Sequence, residues 1–252
     1  MTIAGEILVT LPDGEILQAC VGTHWTAVVA RVAGDVRCGL ASTNEQVQNH
    51  SHEAILPEAG RLEELPARTV AEWVESDVPL RRSLGAAAVN ALLPRPAQPW
   101  KEIHAIEAIS RIGRGKRVAL VGHFAFAPKL REQVDRLWIL ERSPQPGDEP
   151  EDAAPHILPQ ADVIALTGAT FVNGSLEPLL RHCRPDSRVV LLGPSTPFCD
   201  VLFRHGIHVL SGAVVESPEP ILRAVSQSAN FHQLRGLGVR LITVTAPGID
   251  FD

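Results

Sequence analysis

The amino-acid sequence predicts an α/β protein in which an N-terminal α+β domain precedes a Rossmann-like domain built on a parallel sheet. After Arg117, short apolar runs alternate with helical patterns, which is typical of parallel strands joined by helical crossovers. Before that point, runs rich in β-branched residues come first and helical patterns follow, as in an α+β unit. The Pro-rich segment Pro94–Pro99 separates the two patterns. We therefore predict domains over residues 1–98 and 99–252.

Composition indicates a globular protein of the cytoplasm. Of the 252 residues, 45% are hydrophobic and 21% are charged, and the net charge of −6 argues against a general nucleic-acid surface. The N-terminus lacks the basic and apolar segments of a signal peptide, and no apolar run approaches the ~20 residues of a membrane span. The four cysteines are scattered, which favours reduced thiols. We expect neither nucleic acid nor a membrane as a partner.

The first domain is predicted to contain a small antiparallel sheet followed by helices. The sheet is predicted from apolar, β-branched runs over Ile7–Thr10, Ile16–Val21, Trp25–Val32 and Val36–Leu40. The polar stretch Ala41–Gly60 is predicted to be a loop. Helices follow over Val70–Glu75, with Thr69 as N-cap, and from Val78 to Leu93, with Asp77 as N-cap.

A further helix over Trp100–Ile112 is predicted to lead into the second domain, where strands and helices alternate. The predicted strands are Val118–Val121, Leu137–Leu140, Val163–Leu166, Val189–Leu192, His208–Leu210 and a final strand, Val239–Val244, at a sheet edge or in a tail. The predicted helices are Lys129–Val134, Leu176–Cys183, Asp200–His205 and Pro220–His232. This alternation predicts a parallel sheet that is covered on both faces.

In a doubly wound sheet, ligands bind beyond the C-terminal strand ends, near the point where the strand order reverses. This rule selects four loops: Gly122–Pro128, Glu141–Pro150, Thr167–Ser175 and Gly193–Phe198. Glu141 lies about 20 residues after Gly122, where such folds often place the carboxylate that binds a ribose hydroxyl. The Gly-x-Gly-x-x-Gly fingerprint is missing after the first strand, so the pattern does not identify a dinucleotide.

Two of these loops offer hydroxyl and amide groups to a ligand. Thr167, Gly168, Thr170 and Asn173 precede a helix that is predicted to begin at Leu176, where an anion would meet unpaired N–H groups. The alternative is that Asn173 or Ser175 only caps this helix. In the fourth loop, Ser195 and Thr196 form a hydroxyl pair, or the prolines merely fix a turn. Ser195 lacks the Gly-x-Ser-x-Gly setting of a hydrolase nucleophile.

Histidines supply the candidate metal ligands. His123 follows the first strand of the second domain, where it could contact a ligand or metal, or bond only to backbone. The alternating pair His50 and His52 is followed by Glu53, and imidazole and carboxylate groups are ligand types that suit zinc or nickel. It has no third ligand at a recognisable spacing, so we interpret it as a surface loop without metal. Metal binding is predicted to depend on His123 or Glu141 more than on this pair.

Short motifs along nearly the whole chain resemble one protein family. The motifs are Gly22–Val28, Gly85–Leu92, Val121–Phe124, Glu141–Arg142, Thr167–Thr170 with Asn173, and Gly193–Pro197. In this order they resemble the uncharacterised prokaryotic proteins called putative heavy-metal chelation proteins. The resemblance implies an enolase N-terminal-like domain joined to a Rossmann-like domain, with a cleft between the two. It also implies a link to metal chelation or metallophore chemistry.

These observations leave three hypotheses for function. The first is a cytosolic protein that binds a small molecule or metal complex between Asn90 and the strand-end loops, with a divalent transition metal as candidate cofactor and a homodimer as one candidate assembly. The second is a nucleotide- or S-adenosylmethionine-dependent transferase, and the third is a partner-binding protein with an empty cleft. The predicted ligand-binding residues are Asn90, Gly122, His123, Glu141, Thr167, Gly168, Thr170, Asn173, Ser195 and Thr196; no catalytic residue is identified.

Overall fold

The computed structural model describes residues 1–44, 54–96 and 100–249. Within them the chain forms a three-stranded antiparallel sheet and a seven-stranded, mostly parallel sheet. The predicted mixed α/β architecture, with a small antiparallel sheet before a large parallel one, is therefore confirmed. In the same part of the chain, no helix combines the length and apolar character needed to cross a bilayer. All four cysteines are free thiols.

The first sheet and its helices come from the first 92 residues. Its elements are α1 (Ile3–Thr10), β1 (Glu15–Val21), β2 (Trp25–Val32), β3 (Asp35–Ser42), α2 (Ala67–Glu72) and α3 (Pro79–Leu92), with single 3₁₀ turns at Leu62–Glu64 and Trp73–Glu75. Helix α3 packs closely on β3 because the facing residues are small. A Cβ atom at Gly39 would overlap the backbone of α3, and Ala87, Ala88 and Ala91 on that helix are fully buried.

The second sheet is built from the remainder of the chain. Its strands are β4 (Arg117–Val121), β5 (Arg136–Glu141), β6 (Glu149–Pro150), β7 (Val163–Thr167), β8 (Arg188–Leu192), β9 (Val209–Val215) and β10 (Val239–Thr245). Its helices are α4 (Ala105–Gly113), α5 (Ala127–Arg131), α6 (Ala154–Ile157), α7 (Ala169–Asn173), α8 (Leu176–Leu180), α9 (Asp200–Arg204), α10 (Pro218–Ser226) and α11 (Phe231–Arg235).

The strand order of this sheet is β10-β9-β8-β7-β4-β5-β6. Counted from β4, the first six strands follow the order 3-2-1-4-5-6 of doubly wound nucleotide-binding folds. Strand β10 pairs antiparallel with β9 at the edge of the sheet. The chain first moves outward from β4 to β6 and then returns to β7 on the other side of β4. The order therefore reverses between β4 and β7, and a crevice is expected there.

The run Ile7–Thr10 forms part of a helix, so its assignment to the first sheet is wrong. Thr2 caps helix α1 by accepting a hydrogen bond from the Gly5 N–H, at 2.9 Å. Ile3 and Ile7 lie one turn apart and are both buried. Four apolar residues are too few to distinguish a strand from a helix by periodicity, and the cap at Thr2 decides the conformation.

Both predicted N-caps of the first domain are also wrong. Helix α2 begins at Ala67 after Pro66, which places Thr69 inside the helix rather than at its start. Helix α3 begins at Pro79, and Val78 occupies the capping position without a side-chain bond. Pro79 is the first residue of α3, where proline needs no capped N–H and already has a helical φ angle, so this helix starts without a side-chain cap. In α2 the capping position is occupied by Pro66 itself, which has no side-chain group to form a cap.

Two helices of the second domain differ most from their predicted bounds. The segment after Trp100 is extended, because the Lys101 N–H and carbonyl both bond to Thr243 of β10, and helix α4 starts only at Ala105. The predicted helix Pro220–His232 is divided into α10 and α11. Ser228 between them has a positive φ of 62°, and Asn230 forms a capping box that starts the second helix.

The two sheets and their helices pack directly against each other. We call the first sheet with α1–α3 the first unit, and the second sheet with its helices the second unit. One apolar cluster contains both Leu84 of α3 and Leu166 of β7, so the two units are in direct contact. The opposite face of the small sheet is covered by α10, since Val29 and Leu40 join Ile221 in another cluster. The division into domains at residues 98 and 99 remains a prediction about independent folding.

An ionic network fixes the N-terminal ends of the central parallel strands. The Arg117 side chain donates from Nε and Nη2 to the two carboxylate oxygens of Asp162, at 2.9 and 2.6 Å. The Arg117 N–H also donates to Asp162, and Arg184 adds a bond at 3.2 Å. The hydrogen bonds from Arg117 hold the pKa of Asp162 well below its ordinary value. The network lies opposite the C-terminal strand ends and therefore stabilises the sheet rather than the crevice.

We expect Asp162→Asn to lower the free energy of unfolding by about 1–2 kcal/mol at pH 7. A carboxyl group with a lowered folded-state pKa contributes its stability above the unfolded value of about 3.9, and this contribution fades as the pH falls below it. Urea unfolding at pH 7 and pH 3 should therefore show a difference from wild type that shrinks at pH 3. Asp186→Asn is the control, because Asp186 is an exposed partner of Arg184. An undiminished difference at pH 3 would contradict this account.

Candidate functional site

A cleft of about 740 Å³ opens at the C-terminal ends of β4, β5 and β7, where the strand order reverses. The first unit closes its other side with the end of β3 and the start of α3. Six of the predicted ligand-binding residues line this cleft: Gly122, His123, Glu141, Thr167, Thr170 and Asn173. The ligand roles of these residues remain predictions.

A glycine turn at the end of β4 positions the first of them. Gly122 has a φ of +107°, a conformation that favours glycine, and its N–H donates to the Leu140 carbonyl at 2.8 Å. A Cβ atom at Gly122 would also lie only 3.2 Å from the Cβ of Thr167. The turn therefore holds β4 close to both neighbouring strands and places His123 at the edge of the cleft.

His123 is oriented by a carboxylate. Its Nδ1 lies 2.9 Å from Oδ2 of Asp148, and the Asp148 side chain is only 3% exposed. Burial alone would raise the pKa of Asp148, but its hydrogen bonds to His123 and to the Gln145 N–H lower it. An ionised Asp148 favours a proton on Nδ1 of His123, which leaves Nε2 as the ring atom without a protein partner in the described residues. This carboxylate–imidazole pair is the arrangement that metal-ligating histidines commonly have.

Glu141 connects the two strand ends beside it. One carboxylate oxygen accepts the His123 N–H and the other accepts the Arg142 N–H, each at 2.8 Å. Arg142 in turn donates from Nε to Glu151 at 2.7 Å. Each Glu141 oxygen retains a lone pair, so the group can still accept from a ligand or a metal. The bond from the His123 N–H also fixes the His123 backbone next to Glu141.

The third predicted loop contains a short helix, α7, rather than an open loop. Thr170 is buried and donates its hydroxyl to the Thr167 carbonyl at 2.6 Å. The Asn173 side chain accepts the Ser175 N–H at 2.9 Å and the Ser175 hydroxyl at 2.7 Å. Helix α8 begins at Leu176 as predicted, but no side chain caps it. Asn173 therefore shapes the turn between the two helices and faces the cleft from there.

The other four predicted residues lie outside the lining of this cleft, at the contact between the two units. Asn90 donates to the carbonyls of Leu40 and Ser195, at 2.9 and 3.3 Å, and the Ser195 hydroxyl accepts the Ser42 N–H at 2.8 Å. Asn90 and Thr196 line a separate pocket of about 40 Å³. Gly168 packs so closely on the chain at Thr196 that a side chain there would collide with it. Their contacts join the units, and their role toward a ligand stays a prediction.

Sequence reasoning missed the side of the cleft that the first unit supplies. That side consists of Ser42, Thr43, Asn44, Asp77, Pro79 and Arg82. Arg82 is the basic residue on this side of the cleft. It was not predicted, because the sequence indicated helix α3 but not which face of the helix lies against the second unit. The only sign of a basic group in the sequence is the pair of adjacent arginines before the Ala-rich part of the helix, and their adjacency does not reveal which of the two faces the cleft.

Among the described residues of the cleft, a metal could be bound by a single imidazole nitrogen, Nε2 of His123, with the carboxylate of Glu141 next to it. Among the residues that the structure describes, no three His, Cys, Asp or Glu side chains are grouped as a metal site. His50, His52 and Glu53 lie outside the described residues. The predicted ranking of His123 and Glu141 above that pair therefore stays a prediction.

Fold and site together define a class of protein: an α/β chain of two packed units with an open cleft between them. The family model DUF364, described as "Putative heavy-metal chelation", matches residues 104–243, and DUF4213, with the same description, matches residues 6–93. The chain belongs to this family, as its motifs indicated.

Solved structures of the family are similar to this chain over almost their whole length. A DUF364 protein of unknown function from Desulfitobacterium hafniense is 27% identical, with a TM-score of 0.79 and coverage of 97% of this chain and 98% of that one. One from Pyrococcus horikoshii is 20% identical, with a TM-score of 0.83 and the same coverage. An uncharacterized protein from Methanocaldococcus jannaschii is 22% identical over 223 residues, 83% of each chain.

Proposed function

We propose that this chain is a cytosolic protein whose cleft binds a small molecule or metal complex, in the chelation or handling of heavy metals. The observation that carries the proposal is the His123–Asp148 pair at the edge of the cleft. A buried carboxylate holds the imidazole so that Nε2 remains for a ligand, and imidazole is a suitable donor for nickel, zinc and copper.

The donor set favours a metal that arrives with its own chelator. The carboxylate of Glu141 already accepts two backbone N–H groups, and His123 is the one imidazole among the described residues that line the cleft. A single imidazole leaves most coordination positions of a transition metal to other ligands. A cleft of about 740 Å³ has room for an organic chelator that fills those positions.

Calorimetry with nickel as the probe tests this proposal. The protein is titrated with Ni²⁺ alone, citrate alone and nickel citrate. We expect nickel citrate to bind about tenfold or more tightly than either component, because the imidazole and the polar cleft then act on one ligand. Equal affinity for Ni²⁺ and nickel citrate would instead indicate a site built from protein ligands alone. The absence of binding in all three titrations would contradict the proposal.

A further inference from the structure

Arg82 presents a positive charge to the cleft with no ion-pair partner among the described residues. The guanidinium donates from Nε to the Val172 carbonyl at 2.8 Å and from Nη1 to the Ser76 carbonyl at 3.2 Å. These two bonds fix its plane across the contact between the units. A guanidinium carries five N–H groups, so three remain without a protein acceptor in the part of the chain that the structure describes.

The surroundings of Arg82 contain one further unpaired polar group and several charges. Ser42 lines the same cleft, and its hydroxyl is buried without a hydrogen-bond partner in the described structure. Burial lowers the pKa of Arg82, and the nearby charges of Asp77 and Glu75 oppose this effect. On the other side of the cleft, Glu141 accepts two backbone N–H groups and keeps its negative charge, whereas the charge of Glu151 is paired with that of Arg142. Asp77 and Glu75 both weaken the field of Arg82, and neither forms an ion pair with it.

We propose that the ligand of this cleft carries a carboxylate or phosphate group that Arg82 binds, so that the bound metal complex is an anionic one. This inference rests on the proposed function and names its ligand class. A guanidinium held in one plane suits such an oxyanion, because two parallel N–H groups can donate to its two oxygens. His123 would then contact the metal while Arg82 contacts the chelator.

Variants of Arg82 test this assignment by calorimetry with three nickel complexes. Nickel citrate and nickel pyrophosphate distinguish carboxylate from phosphate recognition, and the nickel complex of triethylenetetramine carries no anionic group. We expect Arg82→Gln to weaken binding of at least one anionic complex about tenfold or more, and Arg82→Lys to restore part of that loss. Affinity for the polyamine complex should be unchanged. Asp77→Asn should strengthen binding of the anionic complexes.

Arg81→Gln is the matched control. Arg81 precedes Arg82 on the same helix, pairs with Glu58 at 2.6 Å and stacks on Trp73, away from the cleft lining. Its variant should bind all three complexes as wild type does. Binding of both anionic complexes that survives Arg82→Gln unchanged would overturn the assignment and leave the proposed function standing. Failure of the wild-type protein to bind any of the three complexes would overturn both.

Discussion

Gly39→Ala is expected to lower the free energy of unfolding by about 3 kcal/mol, as severe overpacking does. A Cβ atom at position 39 would overlap the carbonyl oxygen of Ala87 and the amide nitrogen of Ala91. Both are backbone atoms of α3, so no side-chain rotation can relieve the collision. The helix would have to move off the sheet, which is costly in a close-packed core.

The same displacement should reach the cleft, because α3 carries Arg82 and β3 ends at Ser42. Urea unfolding measures the stability, and Gly236→Ala is the matched control. Gly236 has an ordinary φ of −72°, and its Cβ would lie 3.5 Å from the Gln233 carbonyl. The control should stay within about 0.5 kcal/mol of wild type. Wild-type stability of Gly39→Ala would mean that α3 does not approach β3 as closely as described.

His123→Ala is expected to weaken binding of nickel citrate about 100-fold, because it removes the free imidazole of the cleft. Asp148→Asn should cost about 10–100-fold, since it removes the carboxylate that orients the ring and leaves the ring itself in place. Calorimetry of both variants measures these losses against wild type.

The double variant His50→Ala/His52→Ala is the control that shows whether the removal of other histidines also weakens binding. It should retain most of the wild-type affinity for nickel citrate, as the sequence-based ranking of His123 above this pair predicts. Loss of binding in the double variant together with retention in His123→Ala would reverse the ranking and remove His123 from the site.

The parallel strands were predictable because their burial is nearly uniform. Residues 118–121 of β4 are all buried, so the strand reads as one apolar run in the sequence. The alternation of such runs with helices also predicts which loops lie at the strand ends, and hence His123 and Glu141. By contrast, residues 7–10 form a short run that suits a strand or a helix equally. Only the cap at Thr2 and the burial of one helix face distinguish the two.

The partners of the site residues could not be predicted, because they depend on how distant segments meet. Asp148 lies in the loop after β5, and nothing in its spacing indicates that it bonds to His123. Arg81 and Arg82 are adjacent on one helix, so they point about 100° apart around its axis. Which of them faces the cleft is decided by the docking of α3 against the second unit.

X-ray absorption spectroscopy of the protein loaded with nickel citrate tests the central claim most directly, since it reports the donor atoms on the metal. We predict one imidazole nitrogen in the nickel coordination shell, with the remaining donors being oxygens of citrate, Glu141 or water. His123→Ala should convert this spectrum to that of nickel citrate in solution. A wild-type spectrum with several imidazoles or with thiolate sulfur, or one that His123→Ala leaves unchanged, would contradict the claim.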